Sequence, residues 1–162
     1  PATYIPSEFQ KLDMYKRIAG IEKLEEYRDL QEELTDRFGD IPAAADNLLR
    51  IALLKADAHK AGMTQVIQKG NGIRFYLHSS VFVNSEKAAK MLGEYQGKMK
   101  YVQDEEPYFC YLLKEPQNRS VSVTGYKMKS SAVKTSKTTH TEEIFHLVAE
   151  AIKRIGGLYE EE

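Results

Sequence analysis

A chain of 162 residues with 42% hydrophobic and 29% charged residues has the composition of one soluble globular domain that needs no disulfides. No apolar run approaches the roughly 20 residues of a membrane-spanning helix, which argues against a membrane protein. The single cysteine, Cys110, excludes an internal disulfide and favours a reducing, cytoplasmic setting.

Acids and bases are segregated along the chain, although the net charge is only −1. Residues 21–40 contain eight acids and three bases, whereas residues 116–141 contain no acid and five bases: Arg119, Lys127, Lys129, Lys134 and Lys137. One part of the chain therefore offers an acidic surface and another a basic one, which bears on partners rather than on the fold.

Two helices are predicted before Gly39. Ser7 is a good N-cap with Gln10 three residues later, so a first helix runs to Gly20, and its inner face is expected to carry Leu12, Tyr15 and Ile18. A second helix from about residue 21 or 22 to Phe38 follows from apolar residues at steps of three and four: Ile21, Leu24, Tyr27, Leu30, Leu34 and Phe38. Its other side carries Glu22, Glu26, Asp29, Glu33 and Asp36.

A third helix is predicted after a glycine break. Gly39 ends the second helix, and Pro42, whose φ angle suits a first helical turn, begins the next, which runs to about Ala61 and stops at Gly62. Its inward positions are expected to be Leu48, Leu49, Ala52, Leu53 and Ala56.

The second half changes to a strand pattern. Residues 64–69 and 73–79 are rich in β-formers and predict a hairpin that turns at Asn71-Gly72 with positive φ angles. A short helix capped by Asn84 or Ser85 follows, and then strands at 98–102, 108–114 and 119–125. Residues 126–140 are expected to be a mobile loop, and a last helix, capped by Thr139, carries Ile144, Val148, Ala151, Ile152 and Ile155.

This order, three helices and then ββαβββα, predicts an α+β fold of two layers in which a mostly antiparallel sheet packs on helices. We expect one domain over residues 1–162, with a helical part at 1–62 and a sheet with two helices at 63–162.

Catalytic and metal-binding patterns are not evident in the sequence. The glycine cluster at 70–72 lacks the Lys-Ser/Thr of a phosphate-binding loop, and the four histidines fall on separate predicted elements. Cys110 lies in an apolar run and is expected to be a buried hydrophobic residue. We therefore expect no catalytic residue, metal or cofactor in this chain.

Two surfaces remain as candidates. The acidic side of the second helix is either a solvated face or a docking surface, since Glu33 and Asp36 lie one turn apart and could receive a partner's arginine. The basic residues after position 115 either form a flexible loop or contact nucleic-acid phosphates.

Four sequence motifs occur in order at short spacing: YIP (4–6), MYKRIAGI (14–21), LQEELTDRFGDIP (30–42) and NLLRIALLKADAHKAGM (47–63). Over residues 3–67 they resemble the C-terminal domain of bacterial transcription-repair coupling factors, the Mfd family. The resemblance implies a regulatory module of a large ATP-dependent translocase on double-stranded DNA, which removes stalled RNA polymerase and recruits nucleotide-excision repair through UvrA.

The resemblance further implies that this module docks on a UvrB-like module of the same polypeptide, masks the UvrA-binding surface and restrains the motor. It places Glu33 and Asp36, on the same face as Asp29, where the family presents acids to arginines. Structural roles fall to Tyr15, Arg17, Arg37, Phe38, Gly39 and Pro42. ATP and magnesium would belong to motor domains of the longer protein, so no enzymatic activity is expected here. The alternative is a nucleic-acid-binding module acting through the basic residues between 119 and 137.

Overall fold

A computed structural model of the chain describes residues 3–113 and 136–159, with the backbone alone described at residues 136–139. The chain divides into two compact units, Pro1–Ala61 and Gly62–Glu162. Among the described residues the first unit contains three helices, and the second contains the sheet and two helices.

The helices of the first unit are α1 (Glu8–Ala19), α2 (Leu24–Phe38) and α3 (Ala43–Lys60). The Ser7 side chain accepts a hydrogen bond from the Gln10 amide at 3.4 Å, which confirms the predicted N-cap. α2 begins later than predicted, because Lys23 is an extended N-cap residue. Pro42 is likewise the N-cap of α3 rather than its first helical residue, and Gly39 adopts the left-handed φ of +81° at the end of α2.

The core of the helical unit consists of seven buried side chains: Ile5, Met14, Ile18, Ile21, Leu30, Leu34 and Leu49. The predicted inner face of α1 is confirmed at Ile18 but wrong at Leu12 and Tyr15, which are 59% and 51% exposed, and Met14 is buried instead. At about 100° per residue, Met14 lies about 40° from Ile18 around the helix axis, whereas Leu12 lies about 120° away. Two further residues of the predicted inner stripes, Leu24 and Leu48, are also exposed.

The second unit contains β1 (Met63–Lys69), β2 (Gly72–Leu77), α4 (Ser85–Glu94), β3 (Met99–Val102), β4 (Tyr108–Leu112) and α5 (Ser136–Gly156). The strands form one antiparallel sheet in the order β1-β2-β4-β3. The predicted α+β fold is confirmed, while the strand predicted at 119–125 lies outside the described residues. The loop predicted at 126–140 is wrong at its end, because α5 already begins at Ser136; residues 136–140 contain no Gly or Pro to stop it.

One face of the sheet is buried by residues of β2, β3 and β4: Ile73, Phe75, Leu77, Met99 and Phe109. Both helices also bury side chains in this unit, among them Ala88 and Met91 of α4 and Ile152 and Ile155 of α5. The rings of Tyr95 and Tyr111 meet edge to face at 5.9 Å, which joins the end of α4 to β4. The helices therefore cover the buried face of the sheet.

The β1–β2 hairpin turns one residue earlier than predicted. Lys69 pairs with Gly72, so Gly70 and Asn71 form the connection, and Gly70 alone in this turn has a positive φ, of +62°. Gly at the first central position is typical of a type II′ turn. Gly72 is needed for a different reason, because a Cβ atom there would lie 2.9 Å from Cys110 Sγ.

Candidate protein-docking surface

The polar side of α2 carries the acids predicted to dock. We call Glu26, Asp29, Glu33 and Asp36 the acidic face. Leu30 and Leu34, 4% and 1% exposed, bury the apolar side of the same helix. The carboxylate of Glu26 accepts hydrogen bonds from the amides of Glu22 and Lys23, at 2.8 and 3.2 Å, and so fixes the first turn.

Glu33 is held by two arginines of the helical unit. Arg17 of α1 donates from Nη1 to Oε1 at 2.7 Å and from Nη2 to Oε2 at 2.5 Å, a bidentate pair. Arg37, one turn further along α2, donates from Nη1 to Oε1 at 2.7 Å. This Arg17–Glu33–Arg37 cluster therefore joins α1 to the last turns of α2.

The cluster changes the charge that α2 presents to a partner. Hydrogen bonds from Arg17 first, and then from Arg37, lower the pKa of Glu33 to about 2, so its carboxylate is ionised at neutral pH. Two guanidinium groups and one carboxylate leave a net charge of +1 at this point of the surface. The negative charge offered to a partner therefore comes mainly from other acids of the face.

Asp29 and Asp36 lie on the two sides of this cluster. Asp29 lines a shallow cleft with Arg17 and Glu26, and Asp36 lines another with Thr35 and Ile41. Both are exposed, and neither forms an ion pair within residues 3–113 and 136–159. The structure thus brings the predicted acids to one face, with Glu33 engaged inside the chain and both aspartates open to a partner.

The end of α2 is held by aromatic contacts. The Arg37 guanidinium carbon lies 5.1 Å from the centroid of the Phe38 ring, and Phe38 meets the Tyr4 ring edge to face at 5.9 Å. The Tyr4 hydroxyl lies 3.2 Å from the Leu34 carbonyl oxygen and 3.0 Å from that of Gly39. Burial raises the pKa of Tyr4, and Asp40 raises it further. Tyr4 therefore ties the YIP motif to the helix that carries the acids.

The other predicted site residues lie elsewhere. Tyr15 is half exposed and lines a small cleft with Lys11 and Leu48. Of the basic residues, Lys137 falls in α5 with only its backbone described. The remaining four, Arg119, Lys127, Lys129 and Lys134, lie outside the described residues.

Sequence reasoning did not identify the two partners of Glu33. The contact with Arg37 could have been predicted from the sequence, because Glu33 and Arg37 are four residues apart on one helix. The contact with Arg17 could not have been predicted from the sequence, because it depends on how α1 packs beside α2.

Other site types are not seen in the described residues. Residues 3–113 and 136–159 hold no group of three or more His, Cys, Asp or Glu arranged to bind a metal ion. None of the helices in these same ranges has an apolar stretch of membrane-spanning length.

Known proteins similar to this chain are transcription-repair-coupling factors. The factor of Staphylococcus epidermidis is 39% identical over 77 residues, which are 48% of this chain and 7% of that protein. The factor of Bacillus subtilis is 31% identical over 97 residues, which are 59% of this chain and 8% of that protein. The chain thus spans less than a tenth of the length of either relative.

A solved structure, the crystal structure of the C-terminal domain of a transcription-repair coupling factor, has the same fold. Its TM-score is 0.66 at 23% identity, over 97% of this chain and 87% of that one. The model of the TRCF domain family matches residues 1–88, more than half of the chain. These matches confirm the resemblance seen in the four motifs, and the chain belongs to the TRCF domain family of transcription-repair-coupling factors.

Proposed function

We propose that this chain is a non-catalytic docking module of a transcription-repair coupling factor. It covers the UvrA-binding surface of a UvrB-like module in the same polypeptide and thereby restrains an ATP-dependent translocase. RNA polymerase, double-stranded DNA, ATP and magnesium are bound by other parts of the longer protein. The observation that carries the proposal is the acidic face of α2, where Asp29 and Asp36 are exposed and without ion pairs in the described part of the chain.

The arrangement suits recognition of arginines. A carboxylate has about four lone-pair sites, and Glu33 uses three of them for Arg17 and Arg37. Glu33 can therefore accept one further hydrogen bond from an arginine that pairs mainly with Asp36. Because the cluster holds Glu33 in place, this part of the surface is ordered before the partner arrives, which lowers the entropy cost of docking.

The structure also shows which substitution tests the proposal cleanly. Reversing Glu33 to Arg would bring three guanidinium groups together and damage the helical unit itself. Asp36→Arg changes the charge by the same amount at a position that forms no ion pair with the cluster. Asp57→Arg, an exposed acid near the end of α3, is the matched control.

The experiment uses the full-length parent protein and measures UvrA binding and basal ATPase activity. We expect Asp36→Arg to raise both, whereas Asp57→Arg should leave both unchanged. A pair that stays exposed contributes at most about 1 kcal/mol, and one that is buried on docking about 2–5 kcal/mol. If Asp36→Arg stays folded by circular dichroism and UvrA binding does not increase, the acidic face is only a solvated helix face.

A further inference from the structure

The face of the sheet that is not covered by α4 and α5 is partly exposed. The strand registers set Arg74 opposite Cys110 and Tyr76 opposite Tyr108 on the two central strands, β2 and β4. Residues of the edge strands continue both rows, and Lys69 lies beside Gly72 in the next row. We call this set the open sheet face: Gln65, Ile67, Lys69, Arg74, Tyr76, Lys100, Val102, Tyr108 and Cys110.

The centre of the open sheet face is an aromatic pair with a guanidinium group on it. The rings of Tyr76 and Tyr108 lie 5.0 Å apart between centroids, inclined at 43°. The Arg74 guanidinium carbon lies 4.8 Å from the Tyr108 ring centroid, and Nη1 of Arg74 donates to the Tyr76 hydroxyl at 3.2 Å. All three side chains keep part of their surface in solvent. Aromatic rings and guanidinium planes held in this way are the surfaces on which unpaired bases stack.

The charge of this face is positive. The four described strands contain three cations, Lys69, Arg74 and Lys100, and no Asp or Glu. Side chains alternate between the two faces of a sheet, so the register sets all three cations on the open side. The nearest acids in sequence, at 104–106, lie in the β3–β4 connection at the Tyr76–Tyr108 end. An anionic chain is therefore attracted to the end that carries the cations.

We propose that the open sheet face binds single-stranded nucleic acid. Its bases stack on Tyr76 and Tyr108, and its phosphates lie against Lys69, Arg74 and Lys100. A four-stranded antiparallel sheet with helices behind it and aromatic residues on its central strands is an arrangement that other proteins use to bind single-stranded RNA. A duplex keeps its bases stacked on one another and does not offer them to this surface. The residues of the open sheet face belong to the second unit, whereas the acidic face belongs to α2 of the first unit.

The test uses the 162-residue chain and two labelled probes, oligothymidylate and oligouridylate, followed by fluorescence anisotropy. We expect Tyr108→Leu to weaken binding at least about fivefold, the lower end of what one stacking residue contributes. Lys100→Gln should reduce the slope of log affinity against log salt by about 0.7, the value for one phosphate contact on a single strand. Lys90→Gln, an exposed lysine on α4, is the matched control and should change neither quantity.

Each outcome of this experiment decides the proposal. Preference for oligouridylate identifies RNA as the ligand and preference for oligothymidylate identifies DNA, and either supports the site if the two variants lose affinity. Absence of binding to both probes overturns the proposal. Binding that survives Lys100→Gln and Tyr108→Leu also overturns it. So does a result in which unlabelled duplex of equal length displaces the probe as well as the unlabelled single strand does. Because Lys100 is exposed, its variant tests the site even if Tyr108→Leu fails to fold.

Discussion

Replacing Glu33 with Gln removes one charge from the Arg17–Glu33–Arg37 cluster and keeps the shape of the side chain. A fall of the pKa from 4.5 to about 2 corresponds to about 3.4 kcal/mol in favour of the folded state. The Glu33 side chain is 31% exposed and its partners Arg17 and Arg37 are 43% and 40% exposed, so solvent screening reduces this value. We expect Glu33→Gln to lower the free energy of unfolding by about 1–2 kcal/mol at neutral pH.

The pH dependence of this loss follows from the sign of the shift. The pKa of Glu33 is lower in the folded state, so its contribution to stability is complete above about pH 5 and declines as the pH falls toward 2. By about pH 3 more than half of the contribution is gone, so the difference in stability between the unchanged protein and the Glu33→Gln variant should be less than half of its value at neutral pH. Urea unfolding followed by circular dichroism, at neutral pH and at about pH 3, measures how far the two unfolding free energies converge.

Asp36→Asn is the matched control for the loss of a carboxylate on the same helix. Asp36 has no ion pair in the described part of the chain, so this change should alter the unfolding free energy by no more than about 0.5 kcal/mol. The stabilising role of the cluster would be refuted if Glu33→Gln and Asp36→Asn lowered the free energy of unfolding equally at neutral pH. It would also be refuted if the difference between the two variants did not change with pH.

Three further predictions concern the turn, the end of α2 and one partly buried phenol. Gly70→Val forces a β-branched residue to a φ of +62° and should lower the stability of the fold by about 1–3 kcal/mol in thermal melts. Gly72→Ala should destabilise the fold through the clash of its Cβ atom with Cys110, and Cys110→Ala should restore part of that loss. Tyr4→Phe removes the hydroxyl that binds the carbonyls at the end of α2 and should lower the unfolding free energy by about 0.5–1.5 kcal/mol in urea; no change would show that the ring alone holds this end. Burial raises the pKa of Tyr159 to about 12, so in an ultraviolet titration Tyr159→Phe should remove a late ionisation step and leave the early ones.

Features that depend on neighbouring residues could be predicted from the sequence. Ser7 caps α1 and Asn84 caps α4 because each side chain reaches amides two or three residues away. The apolar stripe of α2 predicted its buried side, including Leu30 and Leu34, and with it the side on which the acids lie. Capping and periodicity are local, so these parts of the fold and of the candidate site follow from the order of the residues alone.

Features that depend on packing could not be predicted in this way. Apolar residues of α1 lie on more than one side of the helix, and contact with the rest of the core selected Met14 over Leu12. Glu33 was correctly placed on the polar side, but its pairing with Arg17 joins residues sixteen apart in the chain. In the hairpin, the strand register pairs Lys69 with Gly72 and so sets the turn at Gly70 and Asn71, although Asn71-Gly72 is the stronger local turn signal.

The hydroxyl of Tyr4 has a mechanical consequence for the acidic face. Its two carbonyl partners and the Phe38 ring attach the polypeptide before α1 directly to the last turn of α2. Tension applied to the chain ahead of Tyr4 would therefore load these contacts, and through them the turn that carries Asp36. In a longer polypeptide, a pull from the preceding segment would thus act on the surface that we propose for docking.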